Sequence, residues 1–321
     1  MAEAQGGGTV KAKSDFDGQK EAEALRKAMK GLGTNEKAII EVLTNLSNAQ
    51  RVQTAIDYKT MFGRDLIKDF KSELSGKLEA IVLALMMPSP LFDAHALKRA
   101  MKGAGTDEDA LIEILCSRNN AEITAIKLIY KKEFKNELEE DIRSDTSGNL
   151  QKLFVSLSTG GRDENAEVDS DKAKADAKAL FEAGEKAMGT DESRFNMILA
   201  TRSYPQLRAT FDEYAKVAKK EIEASIKSEM SGNLEKGMLS IVKVVRDKPA
   251  YFAEQLHAAM KGLGTDDKTL VRILVSRCEK DLVQIKREYF KMFKVPIAKS
   301  IAGDTSGDYR AMLLAICGGP E

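Results

Sequence analysis

The sequence predicts an all-α protein that is built from four repeats of five helices each. The phrase Gly-Xaa-Gly-Thr, or a close variant, occurs four times, and its threonines at positions 34, 106, 190 and 265 are 72, 84 and 75 residues apart. Between these phrases the apolar residues return at helical spacing, with almost no proline, and strand-like runs bounded by turns are missing. Repeats of this length can each bury a small core of their own.

Four breaks divide the first repeat into five predicted helices. They are expected at 30–34, at 45–48, at Phe62-Gly63 and at Ser75-Gly76, because glycine and Ser-Gly steps interrupt helical patterns. Proline marks the ends of repeats, since the residue before proline is pushed out of the helical region: Met87-Pro88 ends the first repeat and Asp247-Lys-Pro249 separates the third from the fourth.

These marks predict the organisation of the whole chain. We expect an N-terminal head at 1–18, repeats at 19–87, 88–160, 172–246 and 247–321, and a linker at 161–171. The Gly-rich, acidic stretch 159–171 explains the 84-residue interval. It is consistent with a hinge between two pairs of repeats and equally with a static, well-packed connection. The head is expected to be either mobile or strapped onto the repeats.

Composition excludes several classes of function. The chain has 50 basic and 50 acidic residues and no tryptophan, so it offers neither a field for a polyanion nor stacking platforms for bases, and nucleic acid is excluded as a partner. Three scattered cysteines predict a reducing, cytoplasmic compartment. The start has no apolar signal region, and the longest apolar run, 81–87, is far below the roughly 20 residues of a spanning helix, so any membrane contact is expected to be peripheral.

An acidic residue stands forty residues after the last glycine of every loop. Each acid opens the same phrase, acid-Xaa-Ser-Gly, and the four are Glu73, Asp145, Glu229 and Asp304. Because loop lengths drift easily, a fixed interval predicts that each glycine loop and its acid meet in space. An alternative stays open, in which the acids merely favour the start of the following helix and the serine is its N-cap.

The chemistry of such a loop points to calcium. Glycine allows positive φ, so that successive carbonyls can point the same way, and Ca²⁺ takes six to eight oxygen ligands. In the first repeat we place the carbonyls of Met29, Gly31 and Gly33 and both oxygens of Glu73 on the ion. About two positions remain open, and a phosphate oxygen can fill them. We therefore expect calcium and anionic lipid headgroups to bind cooperatively.

The phrase Met-Lys-Gly-Xaa-Gly-Thr, at 29–34, 101–106 and 260–265 with an acid forty residues beyond, closely resembles the annexin family over residues 16 to 319. The resemblance implies a slightly curved disc of five-helix repeats, with calcium loops on the convex face and termini on the concave face. It implies calcium-dependent binding to phosphatidylserine-type membranes by a cytoplasmic protein that becomes peripheral when calcium rises. It implies no established catalytic activity.

Further ligands follow from the resemblance, residue by residue. The third loop is one residue longer at its start and resembles a variant repeat of the family. The implied ligands are Met101, Gly103, Gly105 and Asp145 in the second repeat, Gly184, Ala187, Gly189 and Glu229 in the third, and Met260, Gly262, Gly264 and Asp304 in the fourth. Secondary sites are implied near Glu36, Glu108, Glu192 and Asp267, which are equally explained as first-turn helix acids.

Two other repeated positions have predicted roles. The loop tips are Leu32, Ala104, Met188 and Leu263, which either tuck against the nearest helices or dip among lipid headgroups. An arginine follows the threonine by twelve residues at Arg118, Arg202 and Arg277, whereas the first repeat has Leu46 there. In the family this arginine is mainly structural and satisfies carbonyls within a repeat, so its loss puts a local contact of the first repeat in doubt.

Competing functions fit the sequence less well. No segment has the ligand spacing of an EF-hand, Gly31-Leu-Gly33 lacks the third glycine of a dinucleotide loop, and His95 and His257 occupy different places in their repeats, which argues against a hydrolase. The serious alternative is a helical-repeat scaffold that binds a protein partner through its concave face or head, with lipid secondary. The sequence also leaves self-association on the membrane open.

Overall fold

The computed structural model describes residues 7–31, 33–103, 105–184, 190–262 and 264–319. These residues form two compact units: Asp93–Tyr251 makes up one, and the described residues up to Phe92 together with those from Phe252 onward make up the other. All the regular secondary structure within the described ranges is helical.

The first two repeats contain five helices each. The first repeat has α1 Gly18–Ala28, α2 Glu36–Thr44, α3 Asn48–Phe62, α4 Leu66–Glu73 and α5 Gly76–Met86. The second has α6 Ser89–Ala100, α7 Glu108–Ser117, α8 Asn120–Phe134, α9 Leu138–Asp145 and α10 Gly148–Ser158. The four breaks predicted for the first repeat coincide with the boundaries between these helices, three of them overlapping a helix by a single terminal residue, so that prediction is confirmed.

The last two repeats follow the same order. The third has α11 Ser170–Ala183, α12 Glu192–Thr201, α13 Tyr204–Ala218, α14 Ile222–Glu229 and the first part of α15 Gly232–Ala259. The fourth has the rest of α15, then α16 Asp267–Arg277, α17 Leu282–Phe293, α18 Ile297–Asp304 and α19 Gly307–Ile316. Asp247 lies outside helical geometry at φ −156° and ψ 97°, so α15 is two helices joined at a kink before Pro249.

Each unit has a core in which two repeats pack together. In one unit α10 packs on α7 and on α12, around fully buried rings that include Tyr130, Phe154 and Phe211. In the other unit α5 packs on α16 and α19 packs on α2. The core positions are the apolar residues that recur with helical spacing in the sequence.

The linker lies inside a unit and is firmly held. The Asp163 N–H donates to the Thr201 carbonyl at 2.8 Å, and the Asn120 amide donates to the Arg162 carbonyl at 2.7 Å. The backbone of Asp169 exchanges two hydrogen bonds of 2.9 Å with the Gln206 amide. The second and third repeats share one compact unit, which favours the packed alternative over a hinge at the linker.

The repeated arginines pair with acids, which differs from the role expected for them. Arg118 makes a bidentate ion pair with Asp93 at 2.7 and 2.9 Å, and Arg202 makes one with Asp176 at 2.6 and 3.0 Å. The carbonyls are satisfied in the first repeat by another arginine: Arg51 donates to the carbonyls of Leu43, Leu46 and Leu85.

Candidate functional site

The glycine loops join the first and second helices of each repeat and are closed by a shared hydrogen bond. The Asn35 N–H donates to the Ala28 carbonyl at 2.8 Å, and the pairs Asp107 with Ala100 and Asp266 with Ala259 have the same length. In the third repeat Asp191 donates to Ala183, also at 2.8 Å. That loop spans one more residue than the others, which confirms the insertion inferred from the sequence.

The glycines of three loops adopt the conformation that requires glycine. Gly31 and Gly33 have φ of 124° and 91°, and the glycine pairs of the second and fourth repeats have φ between 90° and 111°. A Cβ at these positions would meet nothing within 4 Å, so the backbone conformation and not crowding excludes other residues. Positive φ allows successive carbonyls to turn out of the helical direction, so the carbonyl ligands placed at these loops stay a prediction.

Each glycine loop meets its distant acid through the threonine. The hydroxyls of Thr34, Thr106, Thr190 and Thr265 donate to a carboxylate oxygen of Glu73, Asp145, Glu229 and Asp304 at 2.9, 2.7, 3.2 and 2.6 Å. The predicted meeting across the forty-residue interval is confirmed in all four repeats. Among the described residues, nothing donates to the second carboxylate oxygen of Glu73, Asp145 or Asp304, so that oxygen is available to a ligand.

The acids lie at helix C-termini, where their charge is unfavourable. Glu73, Asp145, Glu229 and Asp304 are the final residues of α4, α9, α14 and α18. A carboxylate there faces the negative end of the helix dipole. In the described parts of the chain, none of the four forms an ion pair with a basic side chain. A bound cation would relieve this unfavourable placement.

The capping alternative has little geometric support. Ser75, Ser147 and Ser306 occupy the N-cap position of the next helix, yet their side chains make no capping hydrogen bond. The first residue of that helix is a glycine with φ near 60°, as at Gly76, where φ is 62°. The Ser-Gly step therefore acts as a sharp corner that turns the chain after the acid.

A buried tyrosine holds each acid-bearing helix one turn before the acid. Tyr58 donates to Asp69 at 2.6 Å, and Asp69 also accepts a bidentate pair from Arg64 at 2.8 and 2.7 Å. Burial and Asp69 raise the pKa of Tyr58 to about 12, and the Arg64 hydrogen bonds lower the pKa of Asp69. Tyr130 contacts Asp141 in the same way, and Tyr214 and Tyr289 contact serines. These anchors fix the direction from which the acid enters the loop.

The third loop and the tips lie partly outside the described residues. Gly184 is the C-cap residue of α11, with φ −101°, and a Cβ there would lie 3.6 Å from Glu229 Cγ, so this glycine is beside its predicted acid. Outside the described residues lie the predicted ligands Ala187 and Gly189 and the four tips Leu32, Ala104, Met188 and Leu263.

The secondary acids occupy helix starts. Glu36, Glu108, Glu192 and Asp267 are the first residues of α2, α7, α12 and α16, where the dipole favours a negative charge. Asp267 is also paired with Lys77 of α5 at 2.6 Å. Their placement is thus explained without a metal.

Two roles were not recognised in the sequence. One is the role of the threonines, which were treated only as markers of the repeat. Their fixed position beside the last glycine of each loop was the signal for a shared hydrogen bond. The residues after them, Asn35, Asp107, Asp191 and Asp266, are N-caps whose side chains accept from the backbone three residues on. This cap starts the second helix at once and so limits the length of the loop.

The oxygen donors at these loops suit a hard cation that is bound mainly by backbone carbonyls. Within the described ranges no group of three or more histidine, cysteine, aspartate and glutamate side chains is arranged to hold a metal ion, so a metal at these loops would depend on carbonyls and one carboxylate. Oxygen donors of this kind suit calcium. The histidines are engaged elsewhere: His257 stacks on Phe293 at 3.8 Å, and His95 lies 3.6 Å from Glu133.

Comparison with known proteins gives one match to a family model in each of the four repeats. The family model described as Annexin matches residues 20–85, 92–157, 175–241 and 251–316. Human annexin A7 is 53% identical over 311 residues, which are 97% of this chain and 64% of that protein. Bovine annexin A4 is 52% identical over 315 residues, 98% of this chain and 99% of that protein. The chain thus spans about two thirds of the length of annexin A7.

Solved structures give the same result. Annexin III superimposes with a TM-score of 0.97 at 47% identity, and the match covers 100% of both chains. The calcium-bound structure of annexin (Sm)1 superimposes with a TM-score of 0.87 at 32% identity, over 97% of this chain and 93% of that one.

Proposed function

This chain belongs to the annexin family, and we propose that it binds anionic phospholipid membranes through calcium ions held in its glycine loops. The observation that carries the proposal is the contact between threonine and carboxylate in all four repeats, which brings a single acid to a glycine loop across forty residues. The calcium-bound structure of annexin (Sm)1 supports calcium as the ion.

The proposed ligands are backbone carbonyls and one carboxylate in each repeat. By repeat, they are Met29, Gly31, Gly33 and Glu73; Met101, Gly103, Gly105 and Asp145; Gly184, Ala187, Gly189 and Glu229; and Met260, Gly262, Gly264 and Asp304. Three carbonyls and a bidentate carboxylate supply five oxygens, and calcium takes about six to eight. The protein alone then binds weakly, and a lipid phosphate oxygen completes the shell.

Charge explains why calcium and lipid act together. The chain carries 50 basic and 50 acidic residues, so it has no net attraction for an anionic surface. Each bound ion adds two positive charges beside a carboxylate that has no basic partner among the described residues. Membrane binding therefore raises calcium affinity and calcium raises membrane affinity by the same factor. Phosphatidylserine-type headgroups fit this role because they carry both a phosphate and a carboxylate.

Localisation follows from this switch. No described helix is long and apolar enough to cross a bilayer. Cys116, Cys278 and Cys317 are buried and take part in no disulfide among the described residues, which supports a cytoplasmic protein. We infer that it associates peripherally with membranes when calcium rises. We assign it no catalytic role.

The membrane test is a pelleting titration of the full chain with liposomes. With phosphatidylserine vesicles we expect binding to rise from near zero in chelator to near completion at millimolar calcium. Pure phosphatidylcholine vesicles are the control for headgroup charge. Binding to phosphatidylserine that is unchanged in chelator would contradict the proposal and favour the alternative of a scaffold for protein partners, which calcium-independent capture of a partner would support.

The loop tips provide a separate prediction. If Leu32, Ala104, Met188 and Leu263 dip among the headgroups, then Met188→Asp should weaken liposome binding several-fold, because an added charge opposes insertion. Thermal unfolding should stay unchanged, since an exposed tip adds nothing to the core. A drop in Tm without loss of lipid affinity would instead mean that the tip packs against its own repeat.

A further inference from the structure

The second and third repeats contain an internal ion pair between their first and second helices. Asp93 of α6 pairs with Arg118, and Asp176 of α11 pairs with Arg202. The arginine follows the acid by 25 residues in one repeat and by 26 in the other. Both cations thus come from the repeat that contains the acid.

The first repeat keeps the acid and has lost the arginine. Glu21 of α1 is largely buried, with 10% of its side chain exposed. The position 25 residues later is Leu46, which is fully buried and carries no charge. A buried carboxylate without a cation is costly, because it loses its hydration without compensation.

The N-terminal head supplies the missing cation. Lys13 Nζ lies 2.6 Å from Glu21 Oε1, and this hydrogen bond raises the pKa of Lys13. The sequence is consistent with a head that is either mobile or strapped onto the repeats. The described part of it, residues 7–17, is strapped down.

The backbone of the head is held at several points. Lys13 exchanges two hydrogen bonds, at 2.9 and 2.8 Å, with the amide of Gln50. The Val10 N–H donates to the Cys278 carbonyl at 3.0 Å, and the Val283 N–H donates to the Gly7 carbonyl at 2.8 Å. The head therefore contacts both the first and the fourth repeat of its unit.

The third repeat offers a matched comparison. There the linker residue Asp169 is held by Gln206 through the same pair of amide hydrogen bonds that Gln50 makes with Lys13. The acid Asp176 nevertheless finds its cation in Arg202, within the repeat. The amide clamp is thus shared, whereas the lysine contributed from outside is particular to the first repeat.

We propose that Lys13 is a positioning residue that replaces the missing arginine of the first repeat, so that α1 is fully held only while the head is docked. The second and third repeats carry their own arginine and have no such dependence. Loss of the Lys13 charge should therefore affect α1, the first helix of the first repeat, and not the first helices of the second and third repeats.

Hydrogen exchange of the full chain, without calcium or lipid, tests this inference independently of the membrane proposal. Lys13→Gln should speed amide exchange in residues 10–13 and in α1 on the order of 5-fold, as expected for a partly exposed ion pair. Exchange in α6 and α11 should not change. Lys11→Gln, at an exposed neighbouring lysine, is the matched control for head charge.

A thermodynamic cycle and a rescue variant complete the test. If the two side chains act as a pair, Lys13→Gln should have little further effect in a Glu21→Gln background. Adding Leu46→Arg to Lys13→Gln restores the arrangement of the other repeats and should return α1 to slow exchange. If this double variant fails to fold, the cycle decides alone. Additive effects of Lys13→Gln and Glu21→Gln, or equal effects of Lys13→Gln and Lys11→Gln, would overturn the inference.

Discussion

Changing the four loop acids to amides, as Glu73→Gln, Asp145→Asn, Glu229→Gln and Asp304→Asn together, should abolish calcium-dependent binding to phosphatidylserine vesicles. Each carboxylate supplies the only full negative charge and two of the five proposed protein oxygens, and an amide supplies one neutral oxygen. Since even second-shell changes cost roughly 10- to 100-fold in metal affinity, loss of the ligand itself should cost at least that at each site. Pelleting and calorimetric calcium titration measure the change.

The same variant should fold normally, which separates a metal role from a structural one. The acids stand at the C-termini of α4, α9, α14 and α18, so removing their charge relieves an unfavourable interaction with the helix dipole. Tm in chelator should therefore stay the same or rise slightly. A clear fall in Tm would favour the alternative in which the acids stabilise the start of the next helix.

A matched control changes net charge by the same amount elsewhere. Four exposed acids within helices serve for this: Glu23, Glu41, Glu140 and Asp212, each changed to its amide. This control should bind calcium and vesicles as the natural protein does. Equal loss in both variants would show that overall charge, and not the loops, controls binding.

A milder change tests whether the threonine hydroxyl orients the carboxylate. Thr265→Val keeps the shape of the side chain but removes the hydroxyl that donates to Asp304 at 2.6 Å. The carboxylate then loses its orienting donor while it remains present. Calcium affinity at the fourth loop should fall by less than it does in Asp304→Asn.

Arg118→Met should lower the free energy of unfolding by about 3–5 kcal/mol, since it leaves a buried carboxylate without its partner. The side chains of Arg118 and Asp93 are only 1% and 3% exposed, and their two hydrogen bonds hold α6 against the end of α7. Burial opposes the charge of Arg118, but nearby carboxylates, Asp93 foremost, raise its pKa above the usual value, so the guanidinium stays charged. Chemical denaturation, followed by circular dichroism, measures the loss.

Two comparisons control this prediction. Arg202→Met removes the equivalent pair in the third repeat, where the arginine is 21% exposed, and should cost clearly less because water reaches the remaining acid. Asp93→Leu combined with Arg118→Met removes both charges and should recover much of the stability. If Arg118→Met costs no more than Arg202→Met, burial does not set the importance of this pair.

Local patterns in the sequence were sufficient for the helices and their breaks. The breaks at Lys30–Thr34, at Phe62-Gly63 and at Ser75-Gly76 lie where glycine allows a backbone conformation that ends a helix. The contact of Glu73 with its loop was also predictable. A spacing that stays constant in four copies indicates that the residues at its two ends must lie close together in space.

The pairing of repeats and the partners of buried charges were decided only by the tertiary structure. The linker gave no sign that the second and third repeats share a unit, since packing between helices α10 and α12 depends on surfaces and not on local periodicity. Nor could spacing reveal that Lys13 serves Glu21, because the partner lies outside the repeat.

The sequence by itself therefore determined the four repeats, their helices and the encounter of each glycine loop with its acid, because these depend on periodicity, glycine conformation and constant spacing. The tertiary structure alone decided that each acid ends a helix, that a threonine donates to it, and that Lys13 of the head pairs with Glu21. Those features depend on which surfaces pack together and which charges remain without a neighbour, and neither property is local in the chain.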